Sequence, residues 1–228
     1  MDWQAVLLSL KLALWTSAIL LAVGLPIAYW LAVSKSRFTF LVEALVMLPL
    51  VLPPTVLGFY VLFAFGPGSA LGRFAAQVFG QAIPFSFEGL VLGSVLFSLP
   101  FAVQPFTTAF SAIDRELIES SWCMGESKVR TFFRLILPLS RGGVIAGIVL
   151  SFAHTVGEFG VVLMLGGNIP GVTRTLSISI YDDVQSLSYA SAGRASAGLL
   201  IFSFLILVVM FSAKKVSRDR VLAAVGAP

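Results

Sequence analysis

The chain has 228 residues, of which 58% are hydrophobic and only 11% are charged, with a formal net charge of +4. An ordinary soluble domain is about one quarter charged, and a chain this short has too little interior to hide so much apolar surface from water. The composition therefore argues against a soluble enzyme, a nucleic-acid-binding protein and a disordered chain. It predicts a protein that resides in the lipid bilayer.

Five long runs almost free of Asp, Glu, Lys and Arg predict five membrane-spanning helices, because about 20 helical residues cross the hydrocarbon. The runs are residues 12–34, 44–72, 89–113, 142–173 and 195–213, and only Glu158 interrupts one of them. Backbone groups in lipid are satisfied only in helices or closed barrels, and the runs lack the period-two alternation of barrel strands. The predicted fold is therefore an all-α, polytopic membrane protein with a single transmembrane domain, residues 1–228.

The distribution of basic residues predicts the orientation, because short cytoplasmic loops are enriched in Lys and Arg. With the amino terminus outside, the inner segments hold eleven of the 15 Lys and Arg residues. The outer segments then hold only Lys11, Arg73, Arg174 and Arg194. We therefore expect the amino terminus outside and the tail, residues 214–228, in the cytoplasm.

The longest predicted inner segment, residues 114–141, has the pattern of a helix–glycine–helix unit. Asp114 is placed to cap a first short helix, and Gly125 suits a left-handed stop after it. Trp122 and Met124 are then exposed. This pattern fits either a plug for a groove in another protein or a helix pair lying on the membrane surface.

The second helix of this unit is predicted to begin at Ser127 and to end at Pro138, before the fourth span. Arg130 and Arg134 are four residues apart and share one face. The apolar residues between positions 129 and 136, which include two adjacent phenylalanines, supply the other face.

The same segment resembles the EAA loop of ABC importer permeases. Glu119-Ser120-Ser121, three residues, Gly125, nine residues and then Leu135-Ile136-Leu137-Pro138 reproduce its spacing. The departures are two serines in place of alanines and Leu135 in place of isoleucine. The resemblance implies the type I permease fold with a cytoplasmic coupling-helix pair. It assigns contact with the ATPase to Glu119, Ser120, Ser121, Trp122, Met124, Gly125, Leu137 and Pro138.

Four further segments, residues 3–11, 48–54, 157–160 and 168–175, resemble molybdate permeases. Sulfate and tungstate permeases are similar around residues 157–160. The resemblance therefore implies translocation of a tetrahedral oxyanion, molybdate first, with sulfate or tungstate as the alternative.

The family resemblance also implies the partners: a second copy of this chain, a cytoplasmic ABC ATPase dimer and an extracytoplasmic substrate-binding protein. The chain has no phosphate-binding G-x-x-x-x-G-K-[ST] sequence, so ATP-Mg would bind to the partner ATPase. We expect this chain to bind no cofactor and no metal, and to catalyse no reaction itself.

The residues expected along the translocation path or at its gate are weak donors and the surroundings of the fourth span: Thr55, Gly157, Glu158, Phe159, Gly160, Asn168, Thr173 and Arg174, with Ser98, Ser151 and Thr155 as further hydroxyl candidates. A bare carboxylate repels a dianion, so Glu158 is expected to bond to backbone N–H groups or to pair with Arg174. His154 is expected to be a packed residue rather than a ligand.

Two other classes of function remain open from the sequence. An ion-coupled carrier normally places ionisable groups inside the membrane, and only Glu158 is available for this role. An intramembrane enzyme needs a nucleophile with a base, or a metal centre, and His154 with Glu158 is too little for either.

Overall fold

The computed structural model describes residues 2–225, with side chains for residues 2–212, and this part of the chain is helical without strands. Its helices are α1 (Trp3–Val33), α2 (Thr39–Val51), α3 (Pro54–Phe65), α4 (Ala70–Phe79), α5 (Phe87–Ser111), α6 (Arg115–Cys123), α7 (Lys128–Leu139), α8 (Arg141–Gly157), α9 (Gly160–Gly166), α10 (Leu176–Gln185) and α11 (Tyr189–Val225). The predicted all-α class is therefore confirmed.

Three helices are long and apolar enough to cross a membrane alone: α1, α5 and the Tyr189–Ser212 part of α11. Two bent pairs reach the same length together, α2 with α3 at 112° and α7 with α8 at 75°. The described residues thus contain three spans, or five if each bent pair is one span. The larger number agrees with the five predicted runs. The side chains of the predicted tail, residues 214–228, lie outside the described part.

The second predicted run, residues 44–72, is not one straight helix. Leu52 is extended and Pro53 precedes the first residue of α3. Proline has no N–H to donate and disfavours helical geometry in the residue before it. Adjacent prolines therefore divide the run between α2 and α3.

The fourth predicted run, residues 142–173, also has to be corrected. Helix α8 ends at Gly157, Glu158 is extended, and the short helix α9 ends at Gly166. The remaining residues form turns before α10. A carboxylate at the start of a new helix is more stable than one inside an apolar helix, so the run 142–173 breaks at its only charged residue, Glu158.

Helices α1, α5 and α8 form the packed centre of the molecule. Small residues let them approach closely: a side chain at Gly143 would place its Cβ 2.3 Å from that of Ala109, and one at Gly147 would lie 2.8 Å from the Ala102 carbonyl oxygen. Phe106 and Leu20 are fully buried in this centre. Close packing of small residues is how helices associate in lipid, where the hydrophobic effect between them is weak.

Helix α11 differs from this centre, since only 6% of its spanning part is buried within the chain. It packs beside α10, the short helix between the fourth and fifth runs. Helix α4 is a separate amphipathic element whose Leu71, Phe74 and Val78 are exposed.

Candidate functional site

The helix–glycine–helix unit is present, and we call residues 114–139 the knuckle. Its first helix, α6, begins where the Asp114 Oδ1 accepts a hydrogen bond from the Glu116 N–H at 3.0 Å. It ends at Cys123, and Gly125, two residues later, has a φ of +85° and donates its N–H to the Trp122 carbonyl at 2.9 Å. Both the predicted cap and the predicted left-handed stop are therefore confirmed.

A buried hydrogen bond joins the two helices of the knuckle. The hydroxyls of Ser121 and Thr131 lie 3.0 Å apart, and Ser127 caps the second helix by accepting from the Arg130 N–H. Ser121 is one of the two serines that replace the alanines of the EAA pattern. Sequence reasoning missed Thr131, because no spacing rule links a residue in one helix to one ten positions later across a turn.

The second helix, α7, does not end at Pro138 as expected but continues to Leu139. The hydrogen bond that proline cannot donate would have gone to the Arg134 carbonyl, four residues earlier. That carbonyl lies in a widened π-helical turn, Phe132–Ile136, where the bonding pattern already differs from that of an α-helix. The apolar side is also divided: Phe132 packs towards the core, while Phe133 is exposed.

The exposed face of α6 carries most of the residues expected to meet an ATPase. Trp122 is 41% exposed and Met124 is 78% exposed, and Glu119 also faces outward. Ile118, one helical turn before Trp122, is buried against the core and anchors the helix. An exposed aromatic and a methionine beside such an anchor are typical of a protein interaction site.

The remaining expected coupling residues are distributed around this face. Ser120 is exposed and Pro138 is exposed, whereas Leu137 is half-buried against the core. The basic face of α7 is paired within the knuckle, because the Glu126 carboxylate lies 3.1 Å from Arg130 and 3.7 Å from Arg134. Exposed pairs of this kind contribute little stability.

Glu158 lies at the second candidate site, residues 157–175, which we call the Glu158 break. Its side chain is 5% exposed, and its two carboxylate oxygens accept hydrogen bonds from the Val161 N–H at 2.8 Å and the Val162 N–H at 3.0 Å. The expected bonding to backbone N–H groups is confirmed. The alternative partner, Arg174, instead contacts Asp182 at 3.4 Å and donates to Asn168 at 2.6 Å.

Thr173 closes the loop that follows α9. Its hydroxyl donates to the Gly166 carbonyl at 2.6 Å and accepts from the Ile169 N–H at 3.2 Å, and the residue is fully buried. The side chains of Glu158 and Thr173 therefore form hydrogen bonds with nearby backbone groups. The side chains of Asn168 and Arg174 instead bond to each other near the surface. The structure thus divides the expected path residues into a buried and a more accessible group.

The two breaks in the spans contact each other. A Cβ at Gly160 would lie 2.6 Å from the Pro54 Cβ, and one at Gly58 would lie 2.7 Å from the Met164 Cβ. Thr55 and Gly157 beside this contact are exposed, and Phe159 packs against Tyr181 with ring centroids 5.0 Å apart. Hydropathy along the chain carries no signal for this contact.

His154 is packed and hydrogen-bonded, as expected. Its Nδ1 lies 2.9 Å from the Ser98 hydroxyl, which lies 3.0 Å from the Thr155 hydroxyl, and Thr155 donates to the Ser151 carbonyl at 2.8 Å. Each hydroxyl has one hydrogen, so all three contacts are satisfied only if the His154 Nδ1–H donates to Ser98 and Ser98 donates to Thr155. Ring stacking on Phe101 at 4.0 Å completes the packing.

Ser98, Ser151 and Thr155, the further hydroxyl candidates for the path, are therefore buried between α5 and α8. Within the described part of the chain, no group of three or more His, Cys, Asp or Glu residues is arranged to hold a metal ion.

Residues 24–221 match the family described as binding-protein-dependent transport system inner membrane component. The chain is 47% identical over 214 residues to the molybdenum transport system permease protein ModB of Azotobacter vinelandii, covering 94% of this chain and 95% of that protein. It is 34% identical over 224 residues to ModB of Escherichia coli K12, covering 96% of both.

Solved structures show the same fold at low sequence identity. An inward-facing structure of the MetNI methionine ABC transporter matches with a TM-score of 0.69 and 18% identity, over 99% of this chain and 96% of that chain. A bacterial alginate ABC transporter, solved with a pentasaccharide-bound periplasmic protein, matches with a TM-score of 0.69 over 91% of this chain and 76% of that chain. With the match over residues 24–221, the chain belongs to the family of inner-membrane components of binding-protein-dependent transport systems.

Proposed function

We propose that this chain is the permease subunit of an ABC importer that takes up an oxyanion, molybdate before sulfate or tungstate. The observation that carries the choice of substrate is the 47% identity to a molybdenum permease over nearly the whole length of both proteins. The transport machine itself is supported by the knuckle, whose Glu119, Trp122 and Met124 face outward.

The energy comes from ATP hydrolysis in a separate cytoplasmic ATPase dimer, which holds the ATP-Mg. Closure of that dimer displaces α6 through its exposed face. The Ser121–Thr131 hydrogen bond carries the displacement to α7, and Ile118 and Ile136 carry it to the packed centre, where both are buried. A rigid connection of this kind is what switching between inward- and outward-open states requires.

A second copy of the chain completes the pathway. The proposal is supported by α11, whose spanning part is 6% buried within one chain and so leaves most of an apolar helix free for a second copy. The amino terminus lies outside and the knuckle in the cytoplasm, in accordance with the distribution of Lys and Arg.

The pathway is a conduit rather than a tight binding site. The apolar runs of the spans contain no Lys or Arg. The Glu158 carboxylate accepts hydrogen bonds from two backbone N–H groups. A dianion is then selected by the extracytoplasmic binding protein and passes weak donors along the path. Thr55, Gly157, Asn168 and Arg174 are the accessible candidates.

The test is uptake into proteoliposomes that contain this chain with its cognate ATPase, with the binding protein and substrate on the opposite side. We expect molybdate uptake that requires ATP and the binding protein, and that excess tungstate inhibits more strongly than excess sulfate. Replacing ATP by a non-hydrolysable analogue is the control and stops uptake. Uptake that follows a proton gradient without ATP would instead establish an ion-coupled carrier.

A further inference from the structure

A groove of about 480 Å³ separates one face of α1 from the beginning of α7. Ala22, Leu25 and Pro26 line it on the α1 side, and Lys128, Val129 and Phe133 on the α7 side. Its volume is typical of a site for a small molecule or for part of a lipid.

The groove follows the cytoplasmic half of α1, provided that the knuckle lies in the cytoplasm as proposed above. Pro26 is seven residues before Val33, the end of α1, and therefore about 10 Å from it along the helix. Val129 and Phe133 are 68% and 62% exposed in the chain. Side chains this apolar at the membrane surface need a hydrophobic cover.

Lys128 is the one charged residue among those lining the groove. It lies in the first turn of α7, where a cation opposes the helix dipole. Arg130 and Arg134 are paired with Glu126, but among the described residues Lys128 belongs to none of the ion pairs. An anion at this position would pair with the Lys128 ammonium and would interact favourably with the dipole of α7.

We propose that the groove binds an anionic phospholipid of the cytoplasmic leaflet, with an acyl chain against α1 and the phosphate at Lys128. The order of chemistry along the groove, apolar within the membrane and cationic at its surface, matches the order within a phospholipid. A second copy of the chain has a much larger apolar face available at α11. The bound lipid joins α1 to the moving half of the knuckle, so it stabilises one position of α7.

The experiment is native mass spectrometry of the full chain, released from mild detergent after equilibration with equal amounts of phosphatidylglycerol and phosphatidylcholine of identical acyl chains. We expect the wild-type chain to retain phosphatidylglycerol preferentially. Lys128→Gln lowers that preference about fivefold, the effect of about 1 kcal/mol for one basic residue near a lipid surface. Lys35→Gln, which removes an exposed lysine outside the groove, leaves the preference unchanged.

The groove itself is tested by filling it. Ala22→Phe is expected to reduce retention of both lipids, whereas Val23→Phe, on an exposed neighbouring position that does not line the groove, keeps wild-type retention. Wild-type retention in both Lys128→Gln and Ala22→Phe would overturn the proposal.

The other occupant of the groove is tested by cross-linking. Chain-to-chain disulfides at Ala22→Cys in a Cys123→Ser background would overturn the proposal, because they would assign the groove to a second copy. Lipid retention is measured without substrate or ATP. Failure of molybdate uptake with normal retention would therefore contradict only the proposed function.

Discussion

The knuckle and the Glu158 break both interrupt an apolar chain with polar residues, but they use these residues in opposite ways. In the knuckle, a buried hydrogen bond between Ser121 and Thr131 joins the two helices across the turn. Glu119 is exposed on its surface. In the Glu158 break, the carboxylate and the Thr173 hydroxyl are both buried and bonded to backbone.

The difference follows from the surrounding medium. Water satisfies backbone groups that a turn leaves free, so a knuckle outside the hydrocarbon needs few internal bonds and its exposed residues are available to a partner. In hydrocarbon an unsatisfied backbone group costs several kcal/mol. A break inside the membrane must therefore use its own side chains to satisfy its backbone, which means that an ionisable residue there is weak evidence for contact with substrate.

The comparison is tested most strongly at Glu158. Glu158→Ala leaves two buried backbone N–H groups without acceptors, at about 1–3 kcal/mol each, so we expect the free energy of unfolding in detergent to fall by about 2–6 kcal/mol. Glu158→Gln keeps one carbonyl oxygen and loses about half as much. Glu126→Ala, which removes a carboxylate in exposed ion pairs of the knuckle, costs less than about 1 kcal/mol. Equal stability of all three variants would contradict the structural role of Glu158.

The turn of the knuckle is tested at Gly125. Its φ is positive and no atom lies within 4 Å of a Cβ placed there, so a substitution acts through backbone strain alone. Strain of about 1–2 kcal/mol lowers the population of the docking conformation about tenfold, and Gly125→Val is expected to reduce ATP-driven uptake accordingly while membrane insertion persists.

Two further variants control this result. Gly125→Asn, whose side chain tolerates positive φ, retains most uptake. Gly142→Val, at a helical glycine with equally open surroundings, behaves as wild type. Normal uptake by Gly125→Val would remove the strained turn from the mechanism.

The exposed face of α6 is tested by reversing a charge. Glu119→Lys should weaken co-purification of the ATPase about fivefold, since an exposed pair contributes up to about 1 kcal/mol, with no change in the stability of the chain alone. Glu43→Lys reverses an exposed charge outside the knuckle and should leave assembly intact. If both variants co-purify the ATPase equally well, Glu119 has no coupling role.

The smallest expected effect concerns the packed centre. Ser98→Ala removes the contacts to His154 and Thr155, and hydrogen bonds between membrane helices contribute about 0.6 kcal/mol on average. Ser94→Ala is the matched control, because its buried hydroxyl has no hydrogen-bond partner among the described residues. Thermal unfolding in detergent should separate the two, and an equal midpoint would show that the His154 network contributes no stability.

Sequence reasoning located the five apolar runs from their lack of charged residues. It located the knuckle from capping residues at a fixed spacing. Both signals are local in the sequence. The adjacent prolines at positions 53 and 54 explain why the second run is interrupted, but the sequence carries no information on the 112° bend, which depends on packing against another part of the chain. Sequence reasoning left two partners open for Glu158, since the choice between a backbone N–H and Arg174 is made by a turn whose geometry has no sequence period. Thr131 was missed for the same reason.

The contact between Gly160 and Pro54 has a mechanical consequence. Each lies at the start of the second segment of an interrupted run, and they approach so closely that even a methyl group on Gly160 would force them apart. The two interrupted runs therefore pack directly against each other at their breaks. We expect a rearrangement that slides one of them along the membrane normal to displace the other as well.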